Sequence, residues 1–192
     1  MIADITPSQG DNLRNHLLIA MPSLDDPNFA QSVTYIYDHT AEGAMGIVIN
    51  RPMDLKVGDV FEQLNLPQGE PISADFVLAG GPVQTQRGFV LHFDEGTWDS
   101  SLRVTDTIRL TGSRDILAAL AIGQGPSDVL FALGYAGWSA GQLEDELATN
   151  AWLTVPATYE ILFHTPPELR WQAAAKQLGV DMRLISTQLG HG

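Results

Sequence analysis

The pentapeptide G-W-S-A-G at 137–141 is the stretch whose residue types and spacing most resemble a catalytic motif. It fits the pattern G-x-S-x-G, in which a sharp turn between a strand and a helix exposes a serine as a nucleophile. The apolar residues 129–135 before it predict a strand, and residues 140–147 after it predict a helix. A serine hydrolase that uses Ser139 is therefore one functional hypothesis.

Ser139 can instead be the cap of the helix that follows it. With Gln142 three residues later it forms a capping box, in which the hydroxyl accepts a hydrogen bond from an unpaired helix N–H. A hydrolase of this type also needs an acid and then a histidine after the serine. Only His164 and His191 follow, and pairing Asp181 with His191 would place the base on the penultimate residue. We therefore favour the helix cap, expect no catalytic residue and prefer a role that is not enzymatic.

The tripeptide Gly80-Gly81-Pro82 follows a predicted strand and has two interpretations. A glycine-rich turn can present backbone N–H groups to an anion. A tight turn that needs a positive φ explains the same glycines. No G-K-[ST] follows them and no G-x-G-x-x-G occurs, so a phosphate-binding loop of either known pattern is excluded.

The composition argues against metal binding and against thiol chemistry. The chain has no cysteine, which excludes disulfides, thiolate catalysis and cysteine-ligated zinc or iron–sulfur sites. The histidines never pair at the spacing of metal ligands, such as H-x-x-x-H. They are His16, His39, His92, His164 and His191. The sequence therefore predicts neither a metal site nor a cofactor.

The chain is strongly acidic, with 10 Lys and Arg against 23 Asp and Glu and a net charge of −13 over 192 residues. Direct nucleic-acid binding is not expected, because that affinity rests largely on cationic side chains that displace counterions from phosphates. No apolar run approaches the roughly 18–20 residues of a membrane helix. The first residues also lack the basic and apolar regions of a signal peptide. These features predict a cytoplasmic protein whose partner is a protein or a small molecule.

Apolar periodicity and turn residues predict the elements that must position these residues. Strands are expected at 17–21, 33–37, 47–49, 76–79, 89–93, within 102–110, at 129–135 and at 151–155. Helices are expected at 57–66, at 113–121 with Ser113 as its cap, at 140–147, and from Thr165 as N-cap through Pro166 to Gly179. Strands and helices interleave irregularly after an early hairpin, which favours a mixed sheet in an α/β or α+β domain. Residues 1–13 are expected to be a flexible lead-in, and 14–192 one domain.

Several stretches, taken together, carry a resemblance. They are H-L-L-I-A-M-P at 16–22 with Asp26 and Phe29 close behind, G-I-V-I-N-R-P at 46–52, G-G-P-V at 80–83, G-Y-A-G-W at 134–138, G-Q-L-E at 141–144, and Trp152. In this collinear order, over roughly residues 14–190, the chain resembles the AlgH/YqgE family of bacterial proteins. The resemblance implies a single compact domain built on a mixed, partly barrel-like sheet flanked by helices.

The resemblance implies less about function. The family carries the label of a transcriptional regulator, connected with alginate production, and has no established reaction or ligand. Because the chain is acidic and has no helix-turn-helix signature, such a role would act through a protein or a small molecule. The residues expected to form a ligand cleft lie where strand ends meet turns. They are Asn50, Arg51, Gly80, Gly81, Pro82, Gly137, Trp138 and Gln142.

Overall fold

The structure, a computed structural model, describes residues 12–69 and 75–189, and the strands among them form one curled sheet. The predicted lead-in, 1–13, therefore lies outside the described residues except for its last two. The strands are β1 (His16–Ala20), β2 (Val33–Thr40), β3 (Gly43–Val48), β4 (Pro52–Lys56), β5 (Phe76–Ala79), β6 (Val83–Phe93), β7 (Ser101–Arg103), β8 (Ile108–Thr111), β9 (Val129–Ser139) and β10 (Trp152–Pro156).

The helices are short and lie between and after the strands. They are α1 (Val57–Gln63), α2 (Arg114–Ala121), α3 (Gln142–Ala148), α4 (Arg170–Gln177) and α5 (Met182–Leu189), with a π-helical turn at Glu160–His164 and a 3-10 turn at Pro167–Leu169. No helix among the described residues is long and apolar enough to cross a membrane.

The long strand β9 organises the sheet, whose order is β10-β1-β2-β3-β9-β6-β8-β7. One half of β9 pairs with β3 and the other with β6, both antiparallel. It also pairs with β5 in parallel, and β5 holds β4. A strand shared in this way curls the sheet into a half-barrel. The expected mixed, partly barrel-like sheet of a single compact α+β domain is confirmed.

Glycines allow the β5–β6 connection to approach β9 closely. A Cβ on Gly80 would lie 2.4 Å from the Gly134 carbonyl oxygen, and one on Gly81 would lie 2.1 Å from the Tyr135 carbonyl carbon. Gly81 has a φ of +155°. The backbone oxygen of Gly80 accepts from Val48 N–H, and its N–H donates to the Leu133 oxygen, each at 2.8 Å. These two glycines therefore serve a close backbone contact as well as a turn.

Three apolar clusters fill the two faces of the curled sheet. The concave face packs against α4 and the π-helical turn, with Tyr35, Ile47 and Leu162 fully or almost fully buried. On the opposite face of β1–β3, α3 and the loop before β2 cover a second cluster that contains Trp138 and Trp152. Helices α1 and α2 cover a third cluster, on β5, β6 and β9.

Two predicted helix starts are wrong. Helix α3 begins at Gln142 with Gly141 as its N-cap, since Gly141 adopts a left-handed φ of +78° and ends the strand that includes Ser139. Thr165 is not an N-cap, because its hydroxyl donates to the Glu160 oxygen and closes the π-helical turn. The 3-10 turn then intervenes, so that α4 begins only at Arg170.

Strand β4 and helix α5 were not expected from the sequence. The predicted cap of α2 is confirmed in position, but the Ser113 hydroxyl donates to the Asp115 carboxylate at 2.5 Å rather than accepting from the helix backbone. Asp115 accepts from the Asp99 N–H and thereby ties the preceding loop to the helix start. The partial burial of Asp115 opposes ionisation, but hydrogen bonds from Ser113 and the backbone outweigh it and lower its pKa.

Candidate functional site

A cleft of about 520 Å³ opens between the β4–β5 pair and the segment that leads into α4. Ligand pockets in proteins commonly enclose about 300–1,000 Å³. Strands, helices and turns from most of the chain length contribute to it. The lining residues are Pro52, Val57, Phe61, Asp75, Phe76, Leu78, Leu120, Val129, Leu130, Phe131, Phe163, His164, Thr165, Pro166, Pro167, Glu168 and Arg170.

The cleft has an apolar floor and a charged rim. Leu78, Phe61 and Phe131 are buried and form part of the floor. Phe76 also lines the cleft, yet 48% of it is exposed, which is high for a large apolar side chain. The rim carries two exposed carboxylates, Asp75 and Glu168. The cleft can therefore hold an apolar group and contact a polar one.

Arg170 is the buried charge of this cleft, with only 3% of its surface exposed. Its guanidinium donates to backbone carbonyls alone: Nε to Ile161 at 3.0 Å, one terminal nitrogen to Leu162 at 3.1 Å, and the other to Ile49. These bonds join the end of β3 to the π-helical turn. Among the described residues, no carboxylate lies within 4.0 Å of this guanidinium.

Burial lowers the pKa of Arg170 to about 10, against the opposing effect of Glu168, so the side chain stays cationic at neutral pH. The sequence prediction missed this residue. The available signal was its position on a helix face with Ala174 one turn later, which is fully buried. A charged residue on an otherwise buried helix face indicates a buried charge.

A second polar group borders the cleft at His164. The Tyr159 hydroxyl donates to the Asp128 carboxylate, and this bond is the largest cause that raises the Tyr159 pKa. The other Asp128 oxygen lies 3.8 Å from His164 Nε2, and the Tyr159 and His164 rings are 5.0 Å apart. Of these three side chains, His164 lines the cleft and adds a polar group to its rim.

Two of the residues predicted to bind a ligand hold a loop of the protein itself. Arg51 donates to the backbone oxygens of Pro27, Asn28 and Ala30, all in the loop at 22–31. Asn50 donates to the Gln31 oxygen at 2.9 Å and accepts from the N–H that begins β2 at 2.8 Å. Partial burial among these groups lowers the pKa of Arg51, against the effect of nearby Asp26.

The same loop covers the predicted residue Trp138. Its Phe29 ring lies 5.9 Å from the Trp138 ring and 5.6 Å from the Trp152 ring. Both indole N–H groups donate to one carboxylate oxygen of Glu146, at 2.7 and 3.2 Å. Trp138 is 6% exposed and Trp152 is 4% exposed, so the loop and α3 together enclose this aromatic pair. The contact between these two tryptophans was not predicted, because they lie 14 residues apart on different strands.

The remaining predicted residues lie around this region without lining the cleft. Gly80, Gly81 and Pro82 connect β5 to β6 beside the end of β3. Gly137 pairs with Met45 farther along β9, and Gln142 begins α3. None of the eight predicted residues is among the residues that line the 520 Å³ cleft. That they bind a ligand stays a prediction.

Ser139 is engaged by the helix that follows it. Its hydroxyl donates to the Gln142 side-chain oxygen at 3.2 Å, and its N–H donates to the same oxygen at 3.0 Å. His39, on a strand that β3 separates from the strand of Ser139, uses both ring nitrogens: Nδ1 accepts from Leu13 N–H, so Nε2 carries the proton that it donates to Glu144. His39 is therefore not a base for Ser139, and His191, the other candidate at the end of the chain, lies outside the residues that the structure describes.

Within 12–69 and 75–189, no three His, Asp or Glu side chains are placed to hold a metal ion.

Comparisons with known proteins agree over nearly the whole chain. A family model described as AlgH-like matches residues 17–183. A UPF0301 protein of Saccharophagus degradans is 58% identical over 180 residues, which cover 94% of this chain and 89% of the relative. The UPF0301 protein Tgr7_2910 of Thioalkalivibrio sulfidiphilus is 57% identical, with 94% and 97% covered.

Two solved structures resemble the fold. The solution structure of the AlgH protein from Pseudomonas aeruginosa superposes with a TM-score of 0.78 at 49% identity, covering 96% of this chain and 98% of that one. The crystal structure of protein DIP2367 from Corynebacterium diphtheriae has a TM-score of 0.70 over 90% of each chain. At 21% identity, this second likeness shows the fold alone.

Proposed function

The chain belongs to the AlgH-like family, and we propose that it is a ligand-binding protein with a regulatory role and no catalytic step of its own. The observation that carries this proposal is the 520 Å³ cleft with its apolar floor, exposed Phe76 and buried Arg170. A mostly apolar concavity with a few fixed polar groups is the usual form of a small-molecule site. A cytoplasmic location, expected from the composition, belongs to the same proposal.

The role as a transcriptional regulator is part of this proposal only in an indirect form. The net charge of −13 disfavours contact with DNA phosphates. A ligand in the cleft would instead contact both the β4–β5 pair and the turn that leads into α4, and could change their exposure to a partner protein. The alternative, a serine hydrolase using Ser139, is not favoured, since that hydroxyl donates to Gln142 and the ring nitrogens of His39 are engaged by Leu13 and Glu144.

A neutral apolar fluorophore, N-phenyl-1-naphthylamine, tests the cleft. We expect its fluorescence to rise on binding to the wild-type protein. Phe76→Ser should weaken its affinity by about fivefold or more, because it removes apolar contact area from the cleft. Leu102→Ser is the matched control, since Leu102 is 40% exposed but does not line the cleft. Absence of binding, or equal losses in both variants, would contradict the proposal.

Native mass spectrometry of freshly purified protein complements this test. A co-purified small molecule that is retained by the wild type and lost in Phe76→Ser would identify the natural ligand directly. Phosphonate labelling of Ser139 that disappears in Ser139→Ala would instead support the hydrolase alternative.

A further inference from the structure

Arg170 places in this cleft a buried positive charge that no carboxylate of the described residues approaches within 4.0 Å. Buried charges in proteins are normally paired with an opposite charge, because removing an ion from water is costly. Here three neutral carbonyl oxygens accept from the guanidinium. An arginine has five N–H donors, so two of them have no acceptor among the described residues. The charge itself also lacks a counterion within ion-pair distance in this part of the chain.

From this arrangement we infer that the cleft takes a carboxylate carried on an apolar body, with the carboxylate directed at Arg170. The inference rests on the proposed ligand-binding function and names the chemical class of the ligand. A planar carboxylate matches the fork of an arginine and can accept two N–H groups at once. The apolar body would lie along Leu78, Phe131 and Phe76.

The charges on the rim of the cleft limit the chemical class of the ligand further. Asp75 and Glu168 are exposed carboxylates at the cleft, and both repel negative charge. A singly charged carboxylate that is buried beyond the rim meets less of this repulsion than a doubly charged phosphate monoester. The rim carboxylates attract cationic amphiphiles, but Arg170 would repel the cationic group of such a ligand once it entered the cleft. The geometry therefore favours a monoanion with an apolar tail over either alternative.

The test compares ligands that share one apolar body. 4-Phenylbutyrate, 4-phenylbutanol and 4-phenylbutylammonium would each displace N-phenyl-1-naphthylamine from the wild-type protein. We expect the carboxylate to bind about tenfold or more tightly than the alcohol, as charge-assisted hydrogen bonds allow, and the ammonium to bind most weakly. Displacement by phenyl phosphate at lower concentration than phenylbutyrate would overturn the choice of a carboxylate.

Variants test whether Arg170 and Glu168 cause the preference for carboxylate, and only one of them changes a residue that also supports the fold. Arg170→Met should abolish the preference for carboxylate over alcohol, but it also removes three bonds to the backbone. Glu168→Gln removes an exposed rim carboxylate that also acts on the Arg170 charge, and we expect it to strengthen phenylbutyrate binding about twofold while leaving phenylbutanol unchanged. Glu42→Gln, in the distant β2–β3 turn, is the control and should change neither.

The two proposals fail in different ways. If the neutral dye and phenylbutanol bind but phenylbutyrate binds no better, the cleft is a ligand site and the assignment of a carboxylate is wrong. An ammonium preference, or an unchanged phenylbutyrate affinity in Glu168→Gln, overturns that assignment as well. If neither dye nor alcohol binds, the proposed function itself is wrong.

Discussion

Buried or half-buried polar side chains that bind backbone groups recur across this protein. Arg170 and Arg51 each donate to three carbonyl oxygens, and His92 is fully buried between a carbonyl and a hydroxyl. The bonds of Arg51 hold the loop at 22–31, those of Arg170 hold the π-helical turn, and those of His92 join β6 to β8. Each bond supplies a hydrogen-bonding partner to a group that packing has removed from water. Their removal should therefore loosen a specific segment, and this can be measured one side chain at a time.

His92 predicts a pH dependence of stability. Its Nδ1 donates to the Phe93 oxygen, and Nε2 lies 2.7 Å from the Thr111 hydroxyl. Burial lowers its pKa, and Arg109 acts in the same direction, against the hydrogen bond to Phe93 and the charges of Asp94 and Glu95. The unfolded chain takes up a proton near the ordinary histidine pKa of about 6.5, while the folded protein does so only at lower pH.

The free energy of unfolding should therefore decrease as the pH falls from about 7.5 to 5, because the unfolded state binds more protons in this window. Urea unfolding at several pH values measures the slope. His92→Gln should show a smaller slope than the wild type, whatever its absolute stability. Equal slopes in the two proteins would show that His92 does not cause the effect.

The hydrogen bonds of Arg51 should stabilise the 22–31 loop. A lysine at this position keeps the charge but cannot donate in three directions from one planar fork. We expect Arg51→Lys to cost about 1–3 kcal/mol. It should also speed hydrogen exchange at Phe29 and Ala30, whose N–H groups bond to the Asp26 oxygen within the loop. Tryptophan fluorescence should shift to longer wavelength as Phe29 leaves Trp138.

The matched control for this change is Arg103→Lys. Arg103 has 59% of its side chain exposed and lies 3.7 Å from Asp106. Exposed ion pairs of this kind contribute little to stability. Similar losses in the two variants, or unchanged exchange in the loop, would mean that Arg51 does not hold the loop in place.

Strands are where prediction from the sequence succeeded best. The apolar runs at 76–79 and 129–135 form β5 and the first part of β9, because short apolar runs bounded by turn residues are typical of central strands. Strand β4 was missed, although Met53 and Leu55 alternate with polar residues as a half-buried strand requires. Helix starts were less predictable, since Gly141 and the π-helical turn displaced both expected caps.

Glycine-to-alanine changes at three positions, one of them in the β5–β6 connection, should lower the free energy of unfolding by graded amounts. Gly80→Ala should destabilise the protein by about 3 kcal/mol or prevent folding, because the Cβ would lie 2.4 Å from a backbone oxygen. Gly123→Ala should cost about 1 kcal/mol, since φ there is +74° but no atom lies within 4 Å.

Gly112→Ala completes this series as the control. The nearest atom to its Cβ would lie at 3.8 Å, and its φ is not in the left-handed range, so little change is expected. Urea midpoints of the three variants measure the order. A Gly80→Ala protein as stable as Gly112→Ala would mean that β9 and the β5–β6 connection can separate without cost.

The net charge of −13 belongs to the molecule as a whole and predicts how salt affects its stability. Like charges at this density repel one another in the compact state, and salt screens them. We expect the melting temperature to rise between low and moderate NaCl, by about 2–4 °C for each kcal/mol gained. A double variant, Glu42→Lys with Glu62→Lys, replaces two exposed acids and should gain less. A melting temperature that falls with salt would indicate that ion pairs dominate.

The sequence was sufficient for the class of the molecule: an acidic, cysteine-free α+β domain with a mixed sheet, most of its strands, and family membership through several collinear motifs. Apolar periodicity and composition are local properties, so they can be read along the chain. The same local reasoning placed the ligand site at Asn50, Arg51 and the residues around Trp138, where the structure shows side chains engaged by a loop.

Only the tertiary structure decided where a cavity lies and which charge faces it. Arg170 donates to the carbonyl of Ile49, a residue 121 positions earlier. The cleft collects side chains from β4, α1, β5, α2, β9 and the segment before α4. The local sequence pattern of a single segment cannot predict that these elements line one cleft, because the curl of the sheet around β9 brings them together. The same packing buries Arg170 where no carboxylate of the described part of the chain lies within 4.0 Å.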